Sequence, residues 1–183
     1  MNDEYALYEA VLFEVASCHR GRDHRLRLTL ADLDDARELA SHIGTYRSKE
    51  VTIVLKRQSC PVLATCSLLH EFGHFWSDKV HGNPVCRILD WQRQIREGGM
   101  EGTRDQRLEI LEEEVRAWYL GTFTLYNVET AVSDDLFERC IQEYDCLSRR
   151  SLRCCGEELE LGGDAYRGMP AWPYLERWLK TSL

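Results

Sequence analysis

The sequence predicts an α+β fold, mainly helical, with a small β-sheet packed on one amphipathic helix. Three observations carry this. Glu50 to Lys56 (EVTIVLK) is β-branched and apolar, the composition that suits a pleated surface. Val62, Thr65, Leu69, Phe72, Trp76 and Val80 recur at spacings of three and four, which buries one side of a helix. Leu108, Leu111, Val115, Trp118, Thr122 and Leu125 repeat that pattern over 103–126.

The remaining elements follow in chain order. Residues 4–19 carry Leu7, Ala10, Val11 and Val15 near helical spacing, and Arg25 to Leu30 alternates as a short half-buried strand does. Asp32 can cap a helix running to about His42, which Gly44 ends. Pro61 suits the first turn of the next helix, which runs to about Val80 before Gly82-Asn83-Pro84 breaks it. Residues 85–97 read as a helix closed by Gly98-Gly99, followed by helices over 103–126 and 133–150. Trp172, Tyr174 and Trp178 around Pro170 and Pro173 suggest a packed helical tail. No linker or repeat interrupts the chain. The expectation is one domain over 1–183, its core at about 25–126 and a helical C-terminal extension at 133–183.

With 44% apolar and 30% charged residues, the 183-residue chain suits a soluble domain and is too apolar for disorder. A net charge of −8 opposes non-specific binding to nucleic acid or to an anionic membrane. Arg87, Arg93, Arg96, Arg104 and Arg107 do not form a basic stripe, because Asp90, Glu97, Glu101 and Asp105 interrupt them. The acidic N-terminus lacks an export-signal pattern and no segment approaches a membrane span, so a cytoplasmic location is expected. The eight cysteines contain no CxxC pair. In a reducing compartment most are expected to be buried small hydrophobes, and a second metal site from Cys140, Cys146, Cys154 and Cys155 is the lesser reading.

The chemistry concentrates in His70-Glu71-Phe72-Gly73-His74, an HExxH motif. Residues four apart on a helix project about 40° apart, so both imidazoles can reach one metal ion. Glu71 projects to the side, where it can take a proton from water without ligating the metal. Zinc suits such a set, with one ion per chain. Gly73 costs about 1 kcal/mol against Ala in a helix interior, so its presence hints at a close approach by another backbone or a ligand. The competing reading is two ordinary histidines beside an exposed glutamate.

A catalytic zinc site normally takes three protein ligands. His81 sits two turns beyond His74, and His19, His24 and His42 have no supporting context. The 103–126 helix offers Glu112, Glu113 and Glu114. With Leu111 at 0°, Glu114 falls at about −60°, inside the apolar face, and Glu112 at about +100°, on its border. Glu113 falls at about 200°, which predicts a solvated side chain beside Arg116. Glu114 is the expected third ligand, and a buried salt bridge to Arg87 or Arg104 is the alternative. The sequence does not choose among Tyr119, Tyr126 and Tyr166 for stabilising developing negative charge.

HExxH followed by a glutamate on a later helix resembles the gluzincin branch of zinc peptidases. Glu112-Glu113-Glu114-Val115-Arg116-Ala117-Trp118 is similar to the Glu-x-Glu-Ala-Asn-x-Phe motif of compact ImmA/IrrE-like members, differing at Val115 and Arg116. It also resembles phage- and plasmid-encoded HExxH proteins. The resemblance covers about residues 49–121. It implies a small zincin-like domain, with Glu71 as general base and His70, His74 and Glu114 as zinc ligands. It also implies a cytosolic protein or peptide substrate, such as a repressor-like or antitoxin-like regulator. If it holds, the Glu50–Lys56 strand should be the sheet edge along which an extended peptide lies. A catalytically silent zincin-fold module that binds a regulatory partner is the alternative.

Overall fold

The computed structural model describes residues 3–17, 26–31, 44–56 and 60–182. Six α-helices and three strands are seen among them: α1 (Asp3–Ser17), β1 (Arg27–Ala31), β2 (Gly44–Arg47), β3 (Thr52–Lys56), α2 (Pro61–Lys79), α3 (Val85–Arg96), α4 (Arg104–Val128), α5 (Asp134–Glu158) and α6 (Trp172–Ser182). This is the expected mainly helical α+β arrangement. The helix expected from Asp32 to His42, together with Cys18, His19, His24 and His42, lies outside the described residues.

Local chemistry accounts for the main boundaries. Pro61 occupies the first turn of α2, where its missing N–H is not needed. The Thr103 side chain accepts from the Gln106 amide while the Gln106 side chain accepts from the Thr103 amide, a reciprocal cap that starts α4. Gly82 and Gly98 adopt φ of +68° and +71° after α2 and α3, conformations that glycine reaches without strain. The α5 helix runs to Glu158, well beyond the expected end near residue 150.

The sheet corrects one expectation. Its strand order is β1-β3-β2, with β3 parallel to β1 and antiparallel to β2. The most apolar strand is therefore central, with Ile53, Val54 and Leu55 buried, and cannot offer an edge. The edge beside α2 belongs to β2, a strand that the sequence reading passed over because Gly44 looked like a helix stop. Pairing with β3 and packing of Tyr46 onto Phe75 of α2 make it a strand. Four residues with one buried aromatic carry too little periodicity to be seen alone.

At the centre, α2 and α4 cross in antiparallel fashion at very short range. A Cβ on Gly73 would stand 1.9 Å from the Ala117 carbonyl oxygen, and one on Gly121 would stand 2.6 Å from the Leu69 carbonyl oxygen. The close approach that Gly73 suggested is thus another backbone. Moving from Leu69 to Gly73 on α2 matches moving from Gly121 back to Ala117 on α4. The Tyr144 hydroxyl of α5 donates to the Trp118 carbonyl at the same crossing. One core continues through all six helices and takes in Leu7 and Val11 of α1, Ile141 and Leu152 of α5, and Leu175 of α6. No described helix is long and apolar enough to cross a membrane.

This crossing makes a direct prediction. In Gly73→Ala the new methyl meets rigid backbone, so the gain in helix propensity is overwhelmed and stability falls by about 3 kcal/mol or more. Gly168, with nothing within 4 Å of an added Cβ, is the control, and Gly168→Ala should change stability by less than about 0.5 kcal/mol. Thermal melting of the two variants checks the contrast.

Candidate metal centre

The antiparallel crossing sets the side chains of α2 against those of α4 in order. His70 stacks on Trp118 with ring centroids 4.3 Å apart. One turn on, His74 faces Glu113 and Glu114, and Ser77 then reaches Glu113. His70 Nε2 lies 3.3 Å from Glu114 Oε2, and His74 Nε2 lies 4.0 Å from Glu114 Oε1. One donor atom from each of His70, His74 and Glu114 falls within 4.8 Å of the others. In a tetrahedral zinc site, ligands at about 2.1 Å from the ion stand about 3.4 Å from each other. The observed separations bracket that value, and two imidazole nitrogens with one carboxylate are a donor set that zinc accepts. The buried cluster can hold a metal ion.

Glu114 owes its position to α3 as well as α4. Gln92 Nε2 donates to Glu114 Oε1 at 2.7 Å, fixing the carboxylate from α3. Gln92 is buried on the same face of α3 as Val85 and Ile88, at spacings of three and four. A glutamine at an apolar position was the available signal. The Arg87 alternative for Glu114 is not realised, since Arg87 pairs with Glu109 on the surface at 3.6 Å. Burial raises the Glu114 pKa, but the His70 hydrogen bond and the charges of His74, His70 and Arg96 outweigh it. The net result lies well below the usual carboxylate range.

Glu113 departs from the sequence reading. It is fully buried rather than solvated, accepting from Ser77 Oγ at 2.8 Å and Arg116 Nη1 at 2.8 Å and lying 3.1 Å from His74 Nδ1. A helical wheel gives α4 one wet side. In the fold that side packs too, because α2, α3 and α6 surround the helix. Arg116 was correctly paired with Glu113 in sequence, but the pair turns inward. A substitution at Glu113 should therefore not be silent.

Glu71 is 7% exposed beside the cluster. Burial raises its pKa, against the lowering charges of His70 and His74 and the amide of Tyr46, which donates to the carboxylate. A carboxyl raised in this way is a stronger base than an exposed glutamate. The cluster opens on a cleft of about 510 Å³. Thr45 and Tyr46 of edge strand β2 form one wall, and Leu147, Arg150, Ser151 and Cys154 of α5 form another.

Other expected features fall elsewhere. His81 is exposed and outside the cluster, and Tyr119, Tyr126 and Tyr166 do not line the cleft. Cys66, Cys140 and Cys155 are buried, while Cys146 and Cys154 are exposed, so the cysteines are less uniformly core than expected. Among the described residues, His70, His74 and Glu114 are the only group arranged to hold a metal. The arginines of 87–107 sit in mixed-charge surface pairs such as Arg93–Asp90 and Arg96–Glu158. Comparison with known proteins finds no matching family, curated protein or solved structure.

Two outcomes are expected. The purified protein should bind about one zinc ion per chain, and His70→Ala, His74→Ala or Glu114→Ala should each remove it, as read by metal analysis after dialysis. Affinity should also depend on pH with a definite sign. Burial lowers the His74 pKa, but the Glu113 hydrogen bond and the charges of Glu114, Glu113 and Glu71 raise it further, to about 9. At pH 7 a metal must therefore displace a proton from the metal-free protein. Affinity should rise about tenfold per pH unit up to about 9 and then flatten, as measured by chelator competition.

Proposed function

We propose that this protein is a zinc-dependent peptidase of the gluzincin type, hydrolysing peptide bonds in a specific protein substrate. The observation that carries the reading is the burial of Glu71 directly beside the His70, His74 and Glu114 cluster, at the head of an open cleft. Zinc, when bound, would supply Lewis acidity, lowering the pKa of water to about 7 and polarising a carbonyl. Glu71 accepts the proton that the attacking water loses and passes it to the departing amine. Its raised pKa makes it a better base for the first half of that transfer. The β2 edge supports a peptide substrate: it has β3 on one side and the cleft on the other, so an extended chain can add to it by backbone hydrogen bonds. A cytosolic regulator of the repressor or antitoxin kind remains the substrate class that the motif resemblance favours.

Glu71→Gln separates a working enzyme from a silent binding module of the same fold. Zinc-loaded protein incubated with a proteome-derived peptide library should generate defined new termini, read by mass spectrometry. The Gln variant should keep its zinc and melting temperature while cleavage falls by about a thousandfold or more. Cleavage equal in both would mean that Glu71 is not the base. No new termini with the wild type, at full zinc occupancy, would favour the silent module.

A further inference from the structure

The two histidines of the cluster are held by different means. His70 rests on the Trp118 ring, and its buried Nδ1 has no hydrogen-bond partner. His74 is 3% exposed and lies against Glu113 through Nδ1. Glu113 Oε2 already accepts from Ser77 Oγ and Arg116 Nη1, leaving Oε1 for the imidazole. Ser77 is itself fixed by Asn83 Nδ2, which donates to its oxygen at 3.0 Å, so its hydroxyl proton is free to point at Glu113. Arg116 is clamped on its other side by Glu112 at 3.2 Å. Every link from Glu112 through Arg116 and Glu113 to His74 thus has a donor matched to an acceptor.

We propose that Glu113 is a positioning residue that fixes the His74 ring and keeps the proton on Nδ1, so that the Nε2 lone pair faces the metal position. An oxygen facing a guanidinium and a hydroxyl donor belongs to an acceptor-only carboxylate. The proton between Glu113 and His74 therefore sits on nitrogen. A neutral imidazole has one donor and one acceptor nitrogen, so fixing the donor fixes the acceptor. The same hydrogen bond makes Nε2 more basic and a better ligand. Glu112 holds Arg116, and Arg116 holds Glu113. The role rests on metal binding at this cluster and is independent of whether peptides are cleaved.

The test uses the full chain and two readouts. Long-range nitrogen–proton NMR on metal-free protein, at a pH where the same spectra show the His74 ring to be neutral, reports which ring nitrogen carries the proton. Wild type should show His74 with Nδ1–H, and Glu113→Ala should move it to Nε2–H, the form a free histidine side chain prefers. Zinc affinity, measured by chelator competition, should weaken about 10- to 100-fold in Glu113→Ala. Glu113→Gln keeps the shape and carries the test if the Ala variant does not fold, with a loss of at least about tenfold expected. An Nε2–H tautomer in the wild type would overturn the proposal, as would zinc affinity within twofold of wild type in the folded variants. Failure of the wild type to bind zinc, with the Nδ1–H tautomer present, would instead refute the metal reading while leaving the positioning of His74 intact.

Discussion

The approach of α2 to α4 at two glycines is the constraint on which the rest of the structure depends. With Gly73 against the Ala117 carbonyl and Gly121 against the Leu69 carbonyl, the backbones come closer than any side chain at those positions would allow. Helices normally pack with axes about 8–10 Å apart, set by the side chains between them. Short imidazole and carboxylate side chains one turn away can then meet across the crossing. The antiparallel sense matters equally: it sets His70, His74 and Ser77 in step with Trp118, Glu114 and Glu113. A parallel crossing through the same glycines would bring different residues together.

Closeness of this kind concentrates charge. Glu71, Glu113 and Glu114 are all buried around one helix crossing, an arrangement that is costly unless each finds a partner. The structure distributes the partners. Glu114 takes the histidines and Gln92, Glu113 takes Arg116 and Ser77 beside His74, and Glu71 has the Tyr46 amide of β2. Glu71 is the member whose pKa rises, while that of Glu114 falls. Neighbouring carboxyl groups driven apart in this way can take separate roles, one holding a cation and the other moving a proton.

Elements remote in sequence complete the site. The 40-residue separation of His74 from Glu114 is occupied by α3, whose Gln92 returns to hold Glu114. The C-terminal segment is more than an extension, because α5 forms a wall of the cleft. Pieces that resemble no motif thus set the shape of the cleft and the orientation of the ligands.

By itself the sequence determined the described helices apart from the far end of α5, the central strand and the two segments that meet at the cluster. Those features rest on local periodicity, on cap and breaker residues, and on a motif whose spacing only a helix can satisfy. It also singled out Glu114 from three adjacent glutamates and identified Gly73 as a point of close approach. Only the tertiary structure decided that β3 is central and β2 the edge, because strand order depends on pairing across the sheet and leaves no mark on either strand. Only it placed Glu113 inside. A helical wheel assigns one dry side, whereas α4 is enclosed by neighbours on several, and there a charged residue is stable once Arg116 and Ser77 meet it. Gln92 was hidden for the same reason: a polar side chain at a core position reveals its purpose only when its partner, from another helix, is in view.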